Sequence, residues 1–151
     1  MVKVLFICHG NICRSPMGEF VFRDMISKAG ASELFEVSSA ATSREEIGND
    51  IYPPAKRVLS AHGIPYGRHA AHRVTDREMK DCDMIVAMDG NNIRNLRLMF
   101  GEKYTDKTYL LMDFAGEHRD VSDPWYTDNF EKAFRDIESG CRGLAEKLLK
   151  G

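Results

Sequence analysis

The chain has 151 residues, 43% of them hydrophobic and 29% charged, which is ordinary for a globular protein of one domain, and no stretch approaches a membrane-spanning length. Its formal net charge of −2 gives no reason to expect nucleic acid or an anionic membrane as partner, so any positive site must be local. The run 2–7 is too short for a signal-peptide core and contains Lys3, so the four cysteines are expected in a reducing cytoplasm, for catalysis or redox sensing rather than disulfides.

The nearly continuous apolar run Val2–Ile7 predicts a strand covered on both faces. It leads into Cys8-His9-Gly10-Asn11-Ile12-Cys13-Arg14-Ser15-Pro16, a loop ahead of a helix, where Ser15 is suited to cap and Pro16 to open the first turn. Met17, Val21 and Met25, flanked by Phe22 and Ile26, mark the apolar face of that helix. Phe35–Ser39 reads as the second strand. Pro53-Pro54 opens a helix with Val58 and Leu59 inward, stopped at Gly63 and followed by Ile64-Pro65. Thr75-x-x-Glu78 is a capping box for a short helix. Met84–Met88 is the third strand, after which Asp89 caps a helix carrying Ile93, Leu96 and Phe100 and closed by Gly101. Thr108–Met112 is the fourth strand. Asp128-x-x-Glu131 starts the last helix, with Phe130, Phe134, Ile137, Cys141, Leu144 and Leu148 inward.

Strands alternating with helices predict one α/β domain over residues 1–151, with right-handed crossovers and a parallel sheet. Ligands in such sheets bind beyond the carboxyl ends of the strands. The Cys8 loop, Asp89 and Asp123 all follow strand ends, so the chemistry is expected at one end of the sheet.

A loop tied between strand and helix curls with its N–H groups inward and makes a nest for an anion of phosphate size. Cys8 is placed at its floor and Arg14 at its rim. The inward N–H groups, the helix dipole and Arg14 favour a thiolate, the Ser15 hydroxyl can donate to the sulfur, and the Arg14 fork suits two phosphoryl oxygens. Asp123-Pro124-Trp125-Tyr126 offers an acid for the leaving group, with two aromatics expected to wall the site and desolvate the carboxyl. Zinc at Cys8 and Cys13 would need two more ligands, and the histidines at 62, 69 and 72 lack the spacing. No Gly-Lys-Ser/Thr follows Gly10, which excludes a Walker loop.

These two motifs, at this separation and with this element order, resemble the low-molecular-weight protein tyrosine phosphatases over essentially the whole chain. The resemblance implies three layers, with a four-stranded parallel sheet in the order 2-1-3-4 between helices. It implies Cys8 as nucleophile, Arg14 as phosphate clamp and Asp123 as general acid, then base. The phosphate cradle would comprise His9, Gly10, Asn11, Ile12, Cys13 and Ser15, with Trp125 and Tyr126 beside the substrate. Asn11 would hold the loop's strained shape, braced by Ser39, His69 and Glu19. Cys13 matches a second cysteine that, in part of the family, forms a reversible disulfide with the nucleophile. No metal or organic cofactor is implied. The implied partners are phosphotyrosine proteins, with inorganic phosphate as product and inhibitor, and a monomer is expected.

The segment Ala41-Thr42-Ser43-Arg44-Glu45-Glu46-Ile47-Gly48-Asn49 departs from the family's pattern. It lacks the bulky aromatic that walls the cleft in many members, although Tyr52 lies just beyond. An arsenate reductase of the same fold would need further cysteines after the third strand, where Met88-Asp89-Gly90-Asn91-Asn92 has none. A phosphoarginine phosphatase typically has Thr at the position of Ile12. A non-catalytic phosphate-binding module has no need to combine Cys8, Arg14 and Asp123.

Overall fold

Apolar side chains on both faces of the first strand force it to the centre of a sheet, and the layers follow from that. A computed structural model describes residues 1–150. Strand β1 (Val2–Cys8) leads to helix α1 (Arg14–Lys28), β2 (Phe35–Ala41), α2 (Pro53–Ala61) and α3 (Asp76–Asp81). Then come β3 (Met84–Ala87), α4 (Gly90–Phe100), β4 (Thr108–Leu110), α5 (Pro124–Thr127) and α6 (Phe130–Leu149). All strands are parallel in the order β2-β1-β3-β4, with Val2 opposite Phe35, Cys8 opposite Ala41 and Val4 opposite Met84.

The period-two alternation of β1 divides the core. Val4, Phe6 and Cys8 pack with Met17, Val21 and Phe22 of α1, Leu59 of α2 and Phe134, Ile137 and Leu144 of α6. Leu5 and Ile7 face the opposite layer, with Met79 of α3 and Leu96 of α4. Each such fully buried side chain contributes about 1.5–3 kcal/mol relative to an exposed one.

Four local expectations are corrected. The third strand ends at Ala87, so Met88 leads into the loop. The fourth ends at Leu110, because Leu111–Ala115 coils into a 3-10 turn against α6. Two glycines of α6 permit that approach: a Cβ at Gly143 would lie 1.8 Å from the Phe114 carbonyl oxygen, and one at Gly140 would lie 2.5 Å from Leu111 Cγ. Helix α1 begins at Arg14 after Cys13, with Ser15 and Pro16 inside its first turn, and no side chain caps it. Helix α6 begins at Phe130, capped by Asn129 rather than Asp128; the latter adopts the left-handed conformation that closes α5. The expected capping box forms between Thr75 and Glu78, and the expected cap at Asp89 is also a reciprocal one, with Asn92.

Candidate active site

The loop between β1 and α1 turns at Asn11, a fully buried non-glycine residue with φ of +60°. Asparagine tolerates this region better than most residues. The loop's carbonyls are held from outside. Thr42 N donates to Cys8 O at 3.0 Å, Ser43 N to His9 O at 3.1 Å, Tyr52 N to Ile12 O at 2.9 Å and Met17 N to Cys13 O at 3.1 Å. His69 Nε2 meets Asn11 O at 2.5 Å. Among the described residues no peptide bond is cis, and in a planar trans peptide the N–H points opposite to the preceding carbonyl. Outward carbonyls therefore turn the N–H groups of residues 9, 10 and 12–14 inward, at the positive end of α1.

The Cys8 sulfur is buried in this cradle. Asn11 N donates to it at 3.3 Å, and Ser15 Oγ lies 3.0 Å away. Asn11 Nδ2 donates to Ser15 Oγ at 2.8 Å, which leaves the Ser15 hydrogen free to point at the sulfur. This explains why Ser15 does not cap the helix: its hydroxyl is engaged in the loop. Asn11 Nδ2 also donates to Ser39 Oγ at 3.0 Å, Ser39 donates to Glu19 Oε1 at 2.6 Å, and Glu19 Oε2 pairs with Arg23 at 2.6 Å. His72 N donates to Asn11 Oδ1 at 3.3 Å. Asn11, Ser39, His69 and Glu19 thus form one connected brace.

Arg14 is buried at the start of α1. Its Nη2 pairs with Asp89 Oδ2 at 2.9 Å and reaches Asp123 Oδ2 at 3.4 Å, while Nη1 donates to Val121 O at 3.2 Å. Burial works against its charge, but Cys8, Asp89 and Asp123 outweigh it and raise its pKa, so the guanidinium stays protonated. A buried ion pair is a poor argument for stability and a better one for orientation. Here it fixes the plane of the fork. The sequence places Asp89 as a helix cap at the same sheet end as the Cys8 loop but does not pair it with Arg14; Oδ1 does accept from Asn92 N at 2.7 Å. The available signal was a carboxylate at the carboxyl end of a central strand.

Asp123 caps α5, with Oδ1 accepting from Trp125 N at 3.0 Å. The expected aromatic cover over this carboxyl does not form, since Trp125 is 62% and Tyr126 86% exposed. The rings instead line the mouth of a cavity of about 280 Å³ that is floored by Cys8 and Cys13 and also lined by His9, Gly10, Ile12, Arg14, Asp89 and Asp123. Tyr52 does not border the cavity; it stands behind the mouth, with its ring centroid 5.7 Å from that of Trp125. Glu45 and Glu46 close another side, with Glu45 paired to His9 at 3.0 Å. Burial first, then the charges of Cys8 and Asp123, pushes the Cys13 thiol up to about 12. Among the described residues no cluster of three or more His, Cys, Asp or Glu could hold a metal, and no helix is long and apolar enough to cross a membrane.

A sulfur and a planar cation converge on one anion-sized cradle, with a carboxyl at its mouth. That arrangement can displace an oxygen from phosphorus. The family model described as low molecular weight phosphotyrosine protein phosphatase matches residues 3–151. The low molecular weight protein-tyrosine-phosphatase YfkJ of Bacillus subtilis is 39% identical, covering 99% of this chain and 97% of the relative. The crystal structure of YfkJ superposes with a TM-score of 0.95 over 99% of this chain and 96% of that one. The human low molecular weight phosphotyrosine protein phosphatase is 35% identical over 96% of this chain and 94% of its own length. A structure of the YwlE arginine phosphatase, a mutant with a phosphorylated active-site serine, is 28% identical with a TM-score of 0.87, over 99% of this chain and 97% of that one.

Proposed function

The chain belongs to the low molecular weight phosphotyrosine protein phosphatase family and is accordingly a phosphoric monoester hydrolase; from that premise we propose how its own residues carry the reaction. The phosphoryl group of phosphotyrosine enters the cradle, where the inward N–H groups and the Arg14 fork bind its oxygens. Cys8 Sγ attacks phosphorus, an S–P bond forms and the P–O bond to the tyrosine breaks. Asp123 gives its proton to the departing phenolate oxygen. Asp123 then takes a proton from water as that water attacks phosphorus, the S–P bond breaks, and phosphate leaves. The Ser15 hydroxyl stabilises the sulfur as it departs. Backbone donors and Arg14 match the charge that spreads over the equatorial oxygens.

The observation that carries this reading is the Cys8 sulfur, hydrogen-bonded by Asn11 N and close to Ser15 Oγ, on the floor of the cavity that Asp123 borders. Trp125 and Tyr126 at the mouth of the cavity, with Ile12 beside them in its lining, supply a stacking wall for an aryl ring. Released phosphate fits the same cradle and acts as a competitive inhibitor. All four cysteines are free, which supports a cytoplasmic setting, and one chain supplies every group, which supports a monomer. Oxidation of Cys8 to a sulfenic acid is reversible when the Cys13 thiol condenses with it, releasing water and forming a disulfide.

The test compares kcat/KM on a phosphotyrosine peptide and on the same peptide bearing phosphoarginine, in the wild type and in Trp125→Ala. The account expects a preference for phosphotyrosine that shrinks in the variant. Equal or better turnover of phosphoarginine by the wild type overturns the substrate assignment.

A further inference from the structure

The carboxyl of Asp123 sits at the end of a strap, residues 117–123, that has no helix or strand of its own. Its backbone must be held by something other than secondary structure. Near the sheet, Val121 N donates to Met88 O at 2.8 Å and Val121 O accepts from Arg14 at 3.2 Å. Asp120 Oδ1 accepts from Gly90 N at 3.0 Å, at the start of α4. The Val121–Ser122 peptide, whose carbonyl meets Arg14, is held at its N–H as well: Ser122 N donates to Asp136 Oδ2 at 2.9 Å.

Asp136 lies on the inward side of α6 among Ala133, Phe134, Ile137 and Gly140, and is only 6% exposed. A buried carboxylate there costs desolvation that an apolar residue would avoid. Its hydrogen bonds all go to the strap. Besides Ser122 N, Oδ2 accepts from Arg119 Nη1 at 3.0 Å and Oδ1 from Arg119 Nη2 at 2.8 Å, a two-pronged pair. Arg119 Nη1 also donates to Asp120 O at 3.2 Å. One carboxylate on α6 thus grips the strap before and beside Asp123. No part of this grip is visible in the cavity, and Asp136 does not border it.

We propose that Asp136 is a positioning residue for Asp123: by fixing the Ser122 peptide, and Arg119 behind it, it sets where the Asp123 carboxyl stands over the bound phosphoester. This rests on the reading of Asp123 as the proton donor. Among the described residues the Asp123 side chain has only the Trp125 N–H and the long contact to Arg14 to orient it. Its position is therefore inherited from its backbone. A shift of the order of 1 Å in a proton donor costs roughly 10²-fold in rate, while a phosphate held by the cradle and Arg14 feels nothing.

The experiment measures kcat/KM on phenyl phosphate, a poor leaving group, and on 4-nitrophenyl phosphate, a good one, for Asp136→Leu, Asp136→Asn, Asp123→Ala and Asp123→Ala/Asp136→Leu, with inhibition by inorganic phosphate as the binding control. Asp136→Leu is expected to lose roughly 10- to 100-fold on phenyl phosphate and much less on 4-nitrophenyl phosphate, with phosphate inhibition unchanged. Asp136→Asn, which keeps the volume and one acceptor, shows a smaller loss with the same dependence on the leaving group, and it suffices if the leucine variant does not fold. In the Asp123→Ala background the Asp136 substitution removes nothing further, since there is no donor left to position. Equal losses on both substrates from the Asp136 variants, or losses that multiply in the double variant, overturn the positioning role while leaving Asp123 as the donor. A loss in Asp123→Ala that is equal on the two substrates overturns the donor assignment, and the positioning role with it.

Discussion

Replacing Asn11 by alanine tests whether the cradle is held open by its brace. The substitution removes three hydrogen bonds of a fully buried side chain: those to Ser15 Oγ, to Ser39 Oγ and from His72 N. At about 1 kcal/mol each, their loss costs about 3 kcal/mol. Alanine at φ of +60° adds about 1 kcal/mol of backbone strain that asparagine largely escapes. For a chain of this length, each kcal/mol moves the melting temperature by about 2–4 °C, so Asn11→Ala should melt about 8–16 °C below the wild type. Asn11→Gly relieves the strain but gives the unfolded chain more entropy, so it recovers only about 0.5 kcal/mol of the loss. Thermal denaturation gives the stability, and kcat/KM on an aryl phosphate gives the function. Both must fall, because the Ser15 hydroxyl loses the donor that aims its hydrogen at Cys8. Saturating phosphate should restore part of the melting temperature by binding the folded state. An Asn11→Ala protein that melts with the wild type and turns over normally would refute the idea that this network shapes the loop.

Three further outcomes are expected. Because Cys13 remains a protonated thiol with its pKa pushed up to about 12, mild peroxide should inactivate the enzyme through Cys8 and dithiothreitol should restore it; Cys13→Ser should recover poorly, and equal recovery would leave Cys13 a packing residue only. Gly143→Ala should destabilise the fold by more than about 3 kcal/mol, since the new methyl meets the Phe114 carbonyl and neither partner is a flexible side-chain end; a chemical denaturation midpoint unchanged from wild type contradicts that packing. His72 Nε2 and Glu78 Oε2 lie 2.7 Å apart. The bond to Glu78 raises His72 above 6.5 against the opposing effect of burial, and Glu78 falls below 4.5 because His72 and Thr75 outweigh its burial. The His72 contribution is fully present below 6.5 and fades as pH rises through its raised value; the Glu78 contribution is present above 4.5 and fades as pH falls, so the pair stabilises most between the two. His72→Gln should lower the melting temperature within that window and weaken its fall above 6.5 and below 4.5, and an unchanged profile contradicts the pairing.

What the sequence reveals about this fold is what short stretches encode. The run 2–7, the Cys8–Arg14 loop, the capping box at Thr75 and the cap at Asp89 are each decided within a few residues, and they form as the pattern predicts. Contacts between distant segments are harder to read. The fourth strand ends early because glycines 140 and 143, thirty residues on, admit the turn at Leu111–Ala115. Ser15 reads as a cap by type and place, yet its hydroxyl is taken by Cys8 and Asn11. Asp89 and Asp136 look like an ordinary cap and an ordinary helical acid until the fold brings Arg14 and Ser122 to them. Trp125 and Tyr126 read as a wall from their place after Asp123 and do line the cavity, but their high exposure, which depends on what the rest of the fold packs against them, is not written in that short stretch.

The central claim is that the phosphoryl group passes through the sulfur of Cys8. Rapid quenching during turnover of an aryl phosphate, followed by mass spectrometry of the digested protein, reads that step directly. The account predicts a phosphoryl adduct on the peptide containing Cys8, absent from Cys8→Ser, which should bind phosphate but not turn over. An adduct on another residue, or turnover by Cys8→Ser near the wild-type rate, would contradict it.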